Sequence, residues 1–113
     1  MPAQAWLDQP GWDETVSGTY SVSGWAYSPY TGINEVRLLV DGELVGRATR
    51  NVAREDVARL TDGHLDPASP SLGFEGELDT SQWRNGRHHF SLELQLNSGE
   101  LQRLAERDIY IRN

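Results

Sequence analysis

The sequence predicts an all-β protein, an antiparallel two-sheet sandwich of about seven strands, and three observations carry that expectation. Hydrophobic residues recur at period two over five separate segments, turn-forming residues punctuate the chain every 8 to 12 positions, and no stretch carries a comparable helical period. The strongest segment is Ile33–Val40 with Asp41-Gly42 behind it. Val36, Leu38 and Val40 share one face there, and Asp-Gly supplies the φ > 0 residues of a tight hairpin. The other strands must pair beside this central hairpin or pack across a core from it.

In chain order, Ala3–Leu7 predicts a short first strand at a sheet edge, ended by Pro10-Gly11. Thr19–Ser28 alternates next, with Tyr20, Val22, Gly24 and Ala26 facing in, where the small residues leave room for bulky partners. Pro29-Tyr30-Thr31-Gly32 is a loop of turn formers leading into the hairpin, whose return arm spans Leu44 to about Thr49. The pattern then breaks into one irregular crossover segment near 51–72: Asn51–Leu60 suits one or two helical turns, and Gly63, Pro67 and Pro70 interrupt the remainder. Phe74, Gly76 and Leu78 mark a further strand, Asp79–Trp83 a capped helical turn, and Asn85-Gly86 the next reversal. From His88 the alternation is the longest in the chain, placing Phe90, Leu92, Leu94 and Leu96 inward; a last strand, Leu101–Ile111, sets Ile109 and Ile111 on one face with a bulge expected at Arg107-Asp108.

At 113 residues the chain suits one domain, 1–113, expected to be excised from a longer protein, and it is large enough to bury a two-layer core. A hydrophobic fraction of 37% and a charged fraction of 24% fit a folded chain. With no cysteine there is no disulfide framework and no thiol nucleophile. No run approaches the ~18 apolar residues of a membrane span. The net charge of −7, spread along the chain, opposes a nucleic-acid partner, whose phosphates require a basic surface.

In this order, Val16-Ser17-Gly18-Thr19, Ser23-Gly24-Trp25-Ala26, Ile33–Val40 followed by Asp41-Gly42, Arg54-Glu55-Asp56-Val57, Gly73-Phe74, Leu78-Asp79-Thr80-Ser81 and Gly86-Arg87-His88 resemble bacterial immunoglobulin-like domains over nearly the whole chain. The resemblance implies an immunoglobulin-like sandwich acting as a non-catalytic accessory or spacer module of an exported bacterial protein, secreted or on the cell surface. Neighbouring domains of the same protein would be its partners, with no cofactor and no catalytic residues. Two features depart from a plain module: the long crossover and the four tryptophans.

Those aromatics supply the alternative, a carbohydrate-binding module. Trp25 and Tyr27 stand two apart on one strand face, with Trp12 and Tyr30 in flanking loops. Flat rings stack on the apolar faces of sugars while polar neighbours bond the hydroxyls, so these four are the candidate ligand-binding residues and polysaccharide the candidate partner. The competing reading packs Trp25 beneath a loop.

Elsewhere the ordinary readings prevail. Asp62, His64 and Asp66 alternate, which in extended backbone projects them to one side, yet a single histidine suits neither zinc nor a hard cation, and no metal is expected. His88 and His89 face opposite sheet surfaces. Arg54 and Asp56 suit an ion pair tying the crossover to the sandwich. No nucleophile elbow, phosphate loop or His-Glu-x-x-His segment is present, so no catalytic centre is expected.

Overall fold

The computed structural model describes residues 3–113; the expected domain start at Met1 and Pro2 lies outside the described residues. Eight strands form a β-sandwich: β1 (Gln4–Gln9), β2 (Thr15–Val16), β3 (Thr19–Tyr27), β4 (Ile33–Val40), β5 (Glu43–Val52), β6 (Gly73–Asp79), β7 (Gly86–Leu96) and β8 (Leu101–Ile111), with one short helix, α1 (Glu55–Leu60). Single 3-10 turns cover Asp62–Leu65 and Thr80–Gln82. In the second of these, the Asp79 carboxylate accepts from the Ser81 N–H, the cap expected from Asp-Thr-Ser.

The hydrogen-bonded order is β1-β3-β6-β5-β4-β7-β8-β2. It makes two layers because β5 changes sheet along its length. Its first half pairs with β4 from Val40↔Glu43 to Val36↔Ala48, and its second half pairs with β6 at Thr49↔Glu75 and Val52↔Gly73. One layer is therefore β1-β3-β6 with the end of β5, and the other is the start of β5 with β4-β7-β8-β2.

Between them lies a core containing Val22, Val36, Leu38, Val40, Phe74, Leu78, Phe90, Leu92, Leu94, Ile109 and Ile111, all expected inward from the period-two pattern, while Tyr20, also expected inward, is half-buried at its rim. Ala3, Leu7, Val16, Ala26, Ile33 and Leu96 complete it. Burying such side chains contributes roughly 1.5–3 kcal/mol each, and this is what selects one register over its one-residue slip.

Four details refine the sequence reading, whose sandwich, crossover and short helix hold. The strands number eight rather than about seven, because Thr15–Val16 pairs with Tyr110–Ile111; that pair is parallel, whereas the expectation was wholly antiparallel. Two residues give too little alternation to register as a strand. The return arm runs to Val52 rather than Thr49, since its last residues find new partners on β6, so the irregular crossover starts at 53. Its helix is confined to Glu55–Leu60. The β8 bulge lies at Ala105-Glu106, where two residues oppose Ser91 alone and Ala105 takes φ 56°, two positions before the expected site.

Candidate functional site

At the open edge between β1 and β8 the sandwich is plugged by an arginine. Arg107 is opposite the core residue Phe90 in the β7–β8 register and is only 3% exposed. Its Nη1 donates to the carbonyls of Leu7 (3.1 Å) and Pro10 (2.8 Å), and its guanidinium carbon lies 4.9 Å from the centre of the Trp6 ring and 4.6 Å from that of Trp12. No carboxylate among the described residues pairs with it; two indole faces answer its charge instead. Burial pulls this arginine below its ordinary pKa, with the nearby Asp8 acting the other way.

Both indoles remain exposed, Trp6 at 47% and Trp12 at 68%. The loop carrying Trp12 is pinned at three points. The Gly11 N–H donates to Glu14 Oε1 (2.9 Å), the Asp13 N–H donates to the Asp108 carbonyl (3.1 Å), and Tyr20 Oη donates to the Glu14 carboxylate. The result is two large exposed rings packed on a buried cation.

The four expected ligand residues separate into different places. Trp25 and Tyr27 do stack, with centroids 5.7 Å apart and planes 12° from parallel, but α1 and the end of the crossover lie over them. Val57, Ala58 and Leu72 bury Tyr27 to 7% and leave Trp25 half-buried. Tyr30, exposed at φ 67°, sits beside the middle of the crossover, where its N–H donates to the Leu65 carbonyl. Trp12 alone joins the Arg107 cluster.

Trp6 and Arg107 were missed by sequence reasoning, although one signal was present. Once Ile109 and Ile111 face inward, period two places Arg107 inward as well, and an inward arginine needs partners. Trp6 faces Trp25 across the β1–β3 register, so the two aromatic groups adjoin.

The crossover that covers Tyr27 is itself anchored by Asp66. Its carboxylate accepts from the N–H groups of Ser28 and Ala68 (2.8 Å each) and from Arg50 Nη2 (3.0 Å), which also reaches the Ala26 carbonyl (3.0 Å). Asp66 is thus turned away from Asp62 and His64, while His64 bonds the Thr61 carbonyl. Among the described residues no group of three His, Cys, Asp or Glu side chains converges as metal ligands would. Arg54 bonds Asp56 through Nε and Nη2 (3.1 Å each) and reaches Asp8 on β1 at 3.3 Å, so this exposed pair links the crossover to the edge strand.

A second feature occupies the outer face of the β1-β3-β6 layer. Gln9, Ser23, Glu75 and Thr49 stand side by side across four strands, Ser21 faces Glu77 in the next row, and Asn51 closes the side. They line an open cleft of about 640 Å³. Pockets that hold small molecules fall within roughly 300–1,000 Å³.

Solved structures share the fold, a mannanase and a pair of fibronectin(III)-like modules among them. The whole chain superposes on 20% of the endo-beta-1,4-mannanase from Thermotoga petrophila, with a TM-score of 0.66 and 13% identity. Fibronectin(III)-like modules of CbhA from Clostridium thermocellum match over 96% of this chain and 93% of theirs, with a TM-score of 0.56 and 18% identity. The chain thus spans about a fifth of the mannanase and nearly all of the module, and at these identities the likeness is one of fold. No family model and no curated protein sequence matches.

Proposed function

We propose that this chain is a non-catalytic immunoglobulin-like accessory module of an exported bacterial protein, seated against a neighbouring domain through Trp6 and Trp12, with the buried Arg107 behind them. The observation that carries this is the exposure of two indoles packed about a buried guanidinium. Tryptophan is among the side chains that dominate binding energy at protein interfaces, and rings already packed on a guanidinium lose less freedom on docking than free ones. The fold supports a modular reading, since one of its neighbours in shape is a module and the other is a larger enzyme of which this fold is one part.

Acrylamide quenching of tryptophan fluorescence tests the proposal, by comparing the 113-residue chain with its parent polypeptide. Protection of Trp6 and Trp12 in the parent, read against Trp6→Phe and Trp12→Phe variants, is the expected result. Equal quenching in both contexts would remove it.

The second reading is carbohydrate binding, and the polar cleft on the β1-β3-β6 layer is what favours it. There, rather than at Trp25 and Tyr27, a sugar would meet exposed hydrogen-bonding groups.

A further inference from the structure

The two outward sheet surfaces differ in how their polar groups are satisfied. On the β4-β7-β8 side, Glu35 accepts from Arg37 and Arg47 at 2.7 Å each, and Arg37 and Arg103 both reach Glu93 at 3.2 and 3.7 Å. That surface answers its own charges. On the β1-β3-β6 side, none of the side chains of Gln9, Ser21, Ser23, Thr49, Asn51, Glu75 and Glu77 takes part in any of the side-chain hydrogen bonds or ion pairs among the described residues. Seven partnerless polar groups thus converge on one cleft.

Their chemistry narrows the occupant. Strands lie ~4.8 Å apart, and residues two apart along a strand ~6.8 Å, so these groups form a regular polar lattice over four strands. Three hydroxyls and two amides both donate and accept, while the two carboxylates only accept. Alternating donors and acceptors at such spacing match a run of hydroxyl groups. No basic side chain lines the cleft, and Glu75 and Glu77 repel anions, so a uronate or sulfated chain is disfavoured. A basic peptide would engage the two carboxylates and leave five neutral groups unmatched. We propose that this cleft binds a chain segment of a neutral polysaccharide, with Glu75 and Glu77 accepting from its hydroxyls. This rests on the carbohydrate reading and gives it a place and a ligand class.

Amide-resolved NMR titration of the ¹⁵N-labelled chain tests it with four probes: cellohexaose, mannohexaose, an oligogalacturonide and hexa-arginine. The expected result is saturable shifts at residues 21–23, 49–51 and 75–77 with at least one neutral hexaose, at a Kd on the order of 10⁻³ M. Glu77→Gln should weaken that binding severalfold and Ser23→Leu should abolish it, each with an unchanged circular dichroism spectrum. Neutral-sugar shifts centred on Trp6, Trp12 or Trp25 would overturn the cleft while leaving carbohydrate binding in place. Equal binding of the oligogalacturonide would overturn the neutral class, and a response to hexa-arginine alone would overturn the glycan. Silence with both hexaoses would remove the inference and the carbohydrate reading together.

Discussion

Arg50 and Asp66 form an ion pair at 3.0 Å whose side chains are 11% and 0% exposed, and it fastens the crossover to the sandwich. Breaking a buried pair from one side strands the other charge, at a cost of about 3–5 kcal/mol. Asp66→Ala also leaves the Ser28 and Ala68 N–H groups without their acceptor. It is expected to lower stability by about 3 kcal/mol or more in urea unfolding and to red-shift Trp25 emission as the helix lifts from Tyr27. Arg54→Ala, which removes only exposed contacts to Asp56 and Asp8, should cost less than about 1 kcal/mol. Similar losses for the two variants would mean that Asp66 does not anchor the segment.

Arg107 also links distant parts of the chain, bonding Leu7 100 residues away and Pro10 97 residues away. Arg107→Met keeps much of the volume but leaves two carbonyls without a donor, for about 2 kcal/mol. Because the guanidinium also fixes Trp6 and Trp12, their fluorescence anisotropy should fall while that of Trp25 and Trp83 holds, as single-tryptophan versions of the chain would report. Unchanged mobility at Trp6 and Trp12 would show that the cation does not position them.

The core was legible in the sequence because burial on one sheet face writes itself as alternation, and the longest runs, in β4 and β7, are buried at every inward aliphatic position expected. The surface was less legible. Trp25 and Tyr27 carry the pattern of an exposed platform, but whether a strand's outer face is open depends on what crosses it, and α1 belongs to a crossover fastened at Asp66 by the contact with Arg50 that spacing does not encode. Trp6 and Trp12 gain their partner from the opposite end of the chain for the same reason. The cleft was invisible because its residues come from four strands whose order depends on β5 changing sheets.

His88 ties the hairpin turn to β7, and it does so best as an imidazolium. Nδ1 meets Asp41 at 2.7 Å and Nε2 the Arg84 carbonyl at 2.8 Å, so both nitrogens face acceptors. The Asp41 hydrogen bond raises the His88 pKa above 6.5 against the opposing effect of burial. Burial alone would raise Asp41, but the His89 N–H and the His88 ring outweigh it and hold the carboxyl below 3.8. The histidine contribution is therefore fully present below about pH 6.5 and disappears as pH rises through the raised folded-state value. The aspartate contribution is present above 3.8 and disappears as pH falls through its lowered value. His89, raised in the same direction through Asp108 and Glu106, adds to the loss on the alkaline side. Denaturation midpoints measured across pH should decline above about 6.5, less steeply in His88→Gln. A His88→Gln profile parallel to the wild type would show that this contact carries no linkage.

Gly24 is where β1 comes closest to β3. A Cβ there would stand 2.0 Å from the Trp6 carbonyl oxygen and 2.9 Å from the Phe74 ring. Rotating a side chain relieves the second contact but not the first, because the oxygen belongs to the backbone of the edge strand. Gly24→Ala therefore forces β1 away from its neighbour, and with it the Leu7 carbonyl that Arg107 holds. Overpacking ordinarily costs about 1–3 kcal/mol, and a backbone clash places this variant at or beyond the upper end. Gly46→Ala supplies the contrast, since its Cβ would meet only Leu38 Cδ1 at 3.9 Å, an ordinary contact. That variant should stay within about 1 kcal/mol of the parent. Hydrogen exchange should then locate the damage: in Gly24→Ala, amides of Ala5–Leu7 lose protection while Leu92–Leu94 keep theirs. Uniform loss across both strands would place Gly24 in the general packing of the core, and no loss at all would mean that β1 is not held where Gly24 permits it to lie.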